Sequence, residues 1–244
     1  LKAVHLDGNH FLVSDNLQGQ TEVVGVHIFT RSAGRTLAEI DYQGATLRSI
    51  PIPAVIPYPY KFVAIPDGRF AHLDNDNDRI DFTDAQGNFI CTVPMPDPSP
   101  EELQCAYGIV VGNRLIVSET GTRKLIQVDL TSYQASIFRD LSDYSTSWLG
   151  AIDYYDGVYY LCTYNKVLRF TESGAIEEVA TFTKNNLVGL AVVDGYAYVI
   201  INCYPSEVDR IDLQTMTAEP IAADLGYPES FAYIPVNLTP PITR

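Results

Sequence analysis

A unit of roughly forty residues recurs along this chain and leaves few folds open to it. One copy reads KFVAIPDGRFAHLDNDNDRIDFTDAQGNFICTVPM and the next YGIVVGNRLIVSETGTRKLIQVDLTSYQASIFRDL. Two more follow, LGAIDYYDGVYYLCTYNKVLRFTESGAIEEVATFT and VGLAVVDGYAYVIINCYPSEVDRIDLQTMTAEPIAADL. Their tight turns at Gly68, Gly112, Gly157 and Gly195 lie 44, 45 and 38 residues apart. Each copy has the same grammar: apolar strand, DG or GN turn, apolar strand, polar loop, strand, turn, strand. DG and GN accept the positive φ values that two-residue hairpins demand. No segment carries the i, i+3, i+4, i+7 pattern of a long amphipathic helix; short alternating runs such as KFVAI, RLIVS and YAYVI dominate.

The first strand of each copy is almost wholly apolar and starts at a small residue, Gly108, Gly150 or Gly189, as a strand buried on both faces does. The last strand is mixed and belongs outside. A four-stranded antiparallel unit graded in this way is a propeller blade, which buries its faces only by stacking on its neighbours around an axis. The expected fold is therefore all-β: a single β-propeller domain over residues 1–244, with five or six four-stranded antiparallel blades closed by pairing of the N- and C-terminal strands. Five three-strand blade bodies are countable, which favours five.

The stretch from Asp67 to Phe89 resembles an NHL repeat: Asp67-Gly68-Arg69, Asp74 to Asp78, Arg79-Ile80, Phe82, Asp84 and Gly87-Asn88-Phe89 follow that pattern. Arg210-Ile211-Asp212 keeps one element of it, whereas Lys166 to Phe170 does not. The resemblance covers residues 58–224 and implies the propeller fold rather than an activity, because propellers of this kind host enzymes, sensors and binding scaffolds. More distantly the chain is similar to gluconolactonase-type six-bladed propellers. These place a Glu and Asn/Asp residues at the inner-strand starts, around a central cation. Here those starts read Tyr60-Lys61, Tyr107-Gly108, Leu149-Gly150, Val188-Gly189 and Ser230-Phe231. Only Glu229 and Asp153 stand in for the missing carboxylates.

The ends read differently. VHIFTRSAGRTLAEIDYQGATLRSIPI aligns with the later three strands of a blade, and KAVHLDGNHFLVSDN before it gives the first unit an extra hairpin. ESFAYIPV repeats a blade's opening strand. The Pro-rich segments 50–60 and 93–103 are inter-blade connectors, since Pro cannot donate within a central ladder.

The net charge of −14 argues against nucleic acid and anionic membranes and leaves cationic partners or metal ions open. No apolar run approaches the ~20 residues of a membrane helix. The four cysteines, Cys91, Cys105, Cys162 and Cys203, form no CxxC pair and sit in apolar runs as buried hydrophobes. The chain starts at Leu1 and carries an Asn237-Leu238-Thr239 sequon; together these suggest a processed, secreted or periplasmic monomer.

Asp74, Asp76 and Asp78 have the DxDxD spacing of a Ca²⁺ loop, the one cofactor the sequence suggests. Arg79 and Ala85 stand where such a loop needs Gly and Glu, so the cluster reads rather as a strand-to-strand loop closed by its own Asx side chains. His27 in VHIF and His72 in AHLD hold matching places in neighbouring blade bodies, but two histidines are too few for a metal centre. No GxSxG, Ser/His/Asp or phosphate-cradling loop occurs, so no catalytic residue is assigned. What remains is a face. Tyr58, Tyr60, Lys61, Tyr107, Trp148, Tyr204, Tyr227 and Glu229 lie in or near the connectors that enter inner strands. Tyr and Trp suit a binding surface, or else wedge between blades. The function expected is a non-enzymatic scaffold that binds a protein, peptide or glycan there. A metal-dependent hydrolase or lyase with its site at the axis is the alternative.

Overall fold

A computed structural model describes residues 2–6, 9–15, 21–24, 27–32, 35–41, 44–57, 59–74, 77–96, 105–145, 147–226 and 228–234. Strands β1 (Lys2–Leu6) and β2 (Asn9–Asp15) form a hairpin. The first blade is β3 (Thr21–Val24), β4 (His27–Ser32), β5 (Thr36–Ile40) and β6 (Thr46–Pro51). The second is β7 (Pro59–Ala64), β8 (Phe70–Asp74), β9 (Arg79–Thr83) and β10 (Phe89–Pro94), and the third is β11 (Cys105–Val111), β12 (Arg114–Glu119), β13 (Lys124–Asp129) and β14 (Ala135–Asp140). The fourth is β15 (Leu149–Tyr155), β16 (Val158–Thr163), β17 (Lys166–Phe170) and β18 (Glu177–Thr181). The fifth is β19 (Leu187–Val193), β20 (Tyr196–Ile201), β21 (Glu207–Asp212) and β22 (Thr217–Ala223). Strand β23 (Pro228–Ile234) pairs antiparallel with β2, from His10 opposite Ile234 to Asp15 opposite Pro228.

The strands β3, β7, β11, β15, β19 and β23 touch one another in that order, and β23 returns to β3. The molecule is thus a β-propeller: five four-stranded antiparallel blades and a three-stranded sheet, β1-β2-β23, that closes the ring with both chain ends. The five countable bodies are the five complete blades. The KAVHL hairpin is not part of the first blade, as its position in sequence suggests. It belongs to the closing sheet, and the short TEVV segment supplies the first blade's inner strand. Among the described residues no helix is long and apolar enough to cross a membrane.

Polarity grades outward as the repeat demands. Every residue of β19 is buried, whereas β22 at the rim of the same blade is mostly exposed. Six apolar clusters fill the six interfaces. Leu73, Ile80 and Phe82 meet Leu115, Val117 and Ile126 between the second and third blades; Val167 and Val179 meet Val199 and Ile211 between the fourth and fifth. Ile28, Ala38 and Ile40 meet Ala232 and Ile234 where the ring closes. The hairpin turns are as expected: Asp156 and Gly157 have φ of 49° and 81°, and Asp194 and Gly195 have 51° and 80°, the left-handed pair of a type I′ turn. Around the axis the chain must be small. A Cβ on Gly150 would stand 2.6 Å from the Leu187 carbonyl oxygen of the next inner strand.

Candidate functional site

The inner strands enclose a central channel of about 480 Å³, lined by segments of all six. Their inner edges have no ladder partner, so some backbone amides face the channel. Asp153, the fifth residue of β15, answers one of them. Its Oδ2 accepts the Val192 amide of the adjacent blade at 2.7 Å, and its Oδ1 accepts the Tyr154 amide at 2.8 Å. Burial raises its pKa to about 6, against the lowering effect of those two hydrogen bonds. Sequence alignment puts Asp153 near a strand start; the structure puts it deeper, where it ties two inner strands together.

Other polar side chains, at second strands as well as at the channel, also join blades. Ser118 Oγ donates to the Gly150 carbonyl at 3.1 Å and Thr120 Oγ1 to the Leu149 carbonyl at 3.1 Å. The Thr21 amide donates to Ser230 Oγ at 3.0 Å across the closure. Among the described residues no three His, Cys, Asp or Glu side chains are grouped to hold a metal.

Asp153 gives a pH prediction. Its folded pKa lies above the ordinary ~4, so the native state holds this proton more tightly than the unfolded chain does. Its contribution is therefore greatest below pH ~4, falls as pH rises through about 6, and is flat above that. Asp153→Asn keeps an acceptor for Val192 and carries no charge. It is expected to melt higher than the parent at pH 7.5, by at most about 3 kcal/mol, with the difference vanishing near pH 4. Thermal melts across that range check it.

The acidic stretch is structural where it is described. Asp74 is buried; both its oxygens accept Asn77 Nδ2 at 3.0 Å, and Arg79 Nε reaches Oδ2 at 3.2 Å. The same position closes the same loop in the next blades. Glu119 accepts the Gly121 and Thr122 amides at 2.6 and 2.7 Å, and Thr163 Oγ1 accepts the Lys166 amide at 3.2 Å. Asp78 takes φ of 50° to turn the chain, and Asp84 Oδ1 accepts the Gln86 and Asn88 amides. Asp76 lies outside the described residues.

The histidines do not match. His27 pairs with Val24 beside its hairpin turn, whereas His72 pairs with Phe62 in mid-strand, three residues beyond Arg69, which stands opposite Ile65 in the equivalent place. The shared X-His-aliphatic pattern misaligns them because the two turns differ in length. His72 is buried, with Nε2 2.9 Å from Thr83 Oγ1; burial, then Arg31 and Arg35, hold its pKa down at about 4. Cys91, Cys162 and Cys203 are free thiols, and burial pushes the Cys162 pKa up.

The connectors that enter the inner strands emerge on one face, together with the loops between second and third strands. Tyr60, Lys61 and Glu229 lie at inner-strand starts on that side. Lys61 is buried, with Nζ 4.0 Å from the Tyr107 ring centroid, so the two clasp adjacent blades by a cation–π contact. Trp148 is half-buried against the cluster of Val188, Ala191 and Tyr198, as a wedge between blades. Tyr204 is 94% exposed. Tyr58 and Tyr227 lie outside the described residues. Two further aromatics on this face escape sequence reading: Tyr144 in the connector before β15, 45% exposed, and Tyr164 between β16 and β17, 40% exposed. Tyr204 is not in a connector, as its neighbourhood in sequence suggests, but in the loop between β20 and β21, the place that Tyr164 holds one blade earlier. That shared loop position is the signal that was there to find, since loop aromatics carry no periodic pattern.

No protein-family model matches the sequence, and no curated protein matches it either. Among solved structures the chain is similar to one titled streptogramin B lyase, with a TM-score of 0.66 at 14% identity, over 86% of this chain and 72% of that one. It is also similar to virginiamycin B lyase from Staphylococcus aureus, with a TM-score of 0.63 at 15% identity, over 86% of this chain and 74% of that one. At this identity the likeness is one of fold, a distant propeller relationship.

Proposed function

We propose that this protein is a non-enzymatic binding propeller that takes a protein, peptide or glycan on the face where the connectors enter the inner strands. The observation that carries this reading is the exposure of Tyr144, Tyr164 and Tyr204 together on that face, at the fourth and fifth blades. Tyrosines give large contact area and a hydroxyl at low entropy cost. Two of the channel's polar side chains, Asp153 and Ser230, are by contrast engaged in joining blades. An acidic chain of net charge −14 favours a neutral or cationic ligand. An exported, monomeric state belongs to the same proposal, and Ca²⁺ at Asp74 and Asp78 is not needed for it.

Binders selected from random peptide and glycan libraries test it. They are expected to lose about tenfold in affinity for a triple Tyr144→Ala, Tyr164→Ala, Tyr204→Ala variant. Its melting temperature should hardly move, since exposed side chains contribute little to stability. Binders that keep full affinity for the variant, or a variant that unfolds early, would overturn the assignment.

A second reading rests on Asp153. A carboxyl with a pKa near 6 beside a channel suits acid–base chemistry, and the two similar structures are titled lyases. It requires a stoichiometric divalent ion after purification and turnover of a lactone or ester that Asp153→Asn abolishes. Elemental analysis and hydrolysis assays decide against it if both are negative.

A further inference from the structure

The opposite face, where the first-to-second and third-to-fourth strand turns emerge, carries a site of its own. The residue that opens each second strand is register-equivalent through the repeat: Arg69 lies opposite Ile65, Arg114 opposite Val111, Val158 opposite Tyr155 and Tyr196 opposite Val193. In the second blade that arginine crosses to the third. Its guanidinium is held by Asp67 of its own turn, Nε to Oδ2 at 2.9 Å, and donates to the Leu130 carbonyl at 2.8 Å and to the Tyr133 hydroxyl. In the third blade Arg114 crosses to the fourth and pairs with Glu172, Nη1 to Oε1 at 2.7 Å. Two successive inter-blade grooves on this face are thus filled by a guanidinium.

The next groove lacks its arginine. Val158 stands in that place, and between the fourth and fifth blades lies an open cavity of about 390 Å³. Two of the three acceptors that Arg69 uses have counterparts. The Tyr133 hydroxyl has none, since Met216 holds that place, its amide bonding the Asp212 carbonyl as the Tyr133 amide bonds the Asp129 carbonyl. Asp156 occupies the place of Asp67, two residues before Val158. Leu213 occupies that of Leu130: the Leu213 amide bonds the Gly195 carbonyl as the Leu130 amide bonds the Asn113 carbonyl. Asp156 and Asp194, in equivalent turns at the cavity's two sides, make no hydrogen bond or ion pair with any described residue. Tyr155 and Tyr160 supply aromatic walls, whereas the Tyr196 ring packs on the far side of its blade beneath the Arg210 guanidinium. The remaining charges are engaged: Asp212 accepts the Gln214 and Thr215 amides, and Arg169 Nε donates to Glu177 at 2.9 Å.

The geometry points to this cavity as a binding site for an arginine side chain presented by a peptide, seated between Asp156 and the Leu213 carbonyl where the repeat elsewhere places its own arginine. A guanidinium fits because it donates in a planar fork to a carboxylate and a carbonyl together and lies against aromatic rings; an ammonium is a point charge that does neither as well. The site lies on the face away from the proposed binding tyrosines and goes beyond that reading.

A blocked Gly-Arg-Gly peptide, titrated at physiological salt and followed by amide chemical shifts, tests it. Shifts are expected at Gly157, Gly195 and Leu213, with the Gly-Lys-Gly counterpart several-fold weaker. Asp156→Asn, in an exposed turn whose left-handed φ Asn tolerates, should weaken the arginine peptide by about tenfold. Val158→Arg should fill the groove from within, abolish the peptide shifts and raise the melting temperature by roughly 2 °C. The assignment is overturned if those amides do not shift, if lysine serves equally well, or if the peptide binds Val158→Arg as it binds the parent.

Discussion

Gly150→Val is expected to destabilise the protein by about 3 kcal/mol or more, a fall of roughly 6–12 °C in melting temperature for a chain of this size. The added Cβ meets the Leu187 carbonyl oxygen at 2.6 Å, the Trp148 ring at 3.0 Å and the Cys162 Cβ at 3.2 Å. The first of these is main chain of the neighbouring inner strand, which relieves the overlap only by moving a whole blade outward. The ~1 kcal/mol by which a β-branched residue outdoes glycine in a strand does not offset that. Gly108 is the control. Its closest neighbour would be a Val63 methyl at 2.9 Å, with the nearest main-chain atom, the Ile116 carbonyl oxygen, at 3.3 Å, so Gly108→Val should cost clearly less than Gly150→Val. Urea melts of the two variants separate a main-chain obstruction from a general intolerance of side chains near the axis; equal losses would refute the distinction.

Removing residues 1–20 should have a larger effect still. It takes away β1 and β2, and with them the six ladder pairs between His10–Asp15 and Pro228–Ile234. Strand β23 is then a bare edge against the first and fifth blades, with neither partner nor cover on its outer side. The expected loss is on the order of 5 kcal/mol, comparable to the whole stability of an ordinary domain, so the truncated chain should fail to unfold cooperatively. A synthetic peptide of residues 1–20 added in trans should restore a cooperative melt, because the missing piece is one hairpin held by backbone pairing. A truncated chain that melts like the parent would mean the ring does not depend on its closure.

The blades were legible because two local signals coincide in them: alternation with period two, and turns that demand Asp-Gly or Gly-Asn. Where either fails, sequence reading fails with it. TEVV has four residues and no flanking DG or GN turn, so it passes unnoticed as an inner strand, and KAVHL is credited to the wrong sheet. Which strand lies next to KAVHLDGNHF is settled by residues more than two hundred positions away, and no local pattern carries that. The candidate site was legible only in part. Lys61, Tyr107 and Trp148 lie at or just before inner-strand starts as expected, whereas Tyr204, read as a connector residue, lies in the loop between β20 and β21 on the same side. Whether a ring stands in solvent, as Tyr204 does, or grips a neighbour, as Tyr107 does, depends on packing across blades. Asp74 shows the converse. Its acidic context invites a cation, yet the partner it serves, Asn77, is three residues away and was in plain view.

The flank of the first blade made by Ile28, Ala38 and Ile40 is covered by Ala232 and Ile234, some two hundred residues later in the chain. During translation the five blades can stack as an open arc, but this greasy face stays bare until β23 has left the ribosome. The nascent protein therefore carries a sticky end while all five blades are made, and its demand for chaperones should scale with how slowly the stretch between the first blade and β23 is translated.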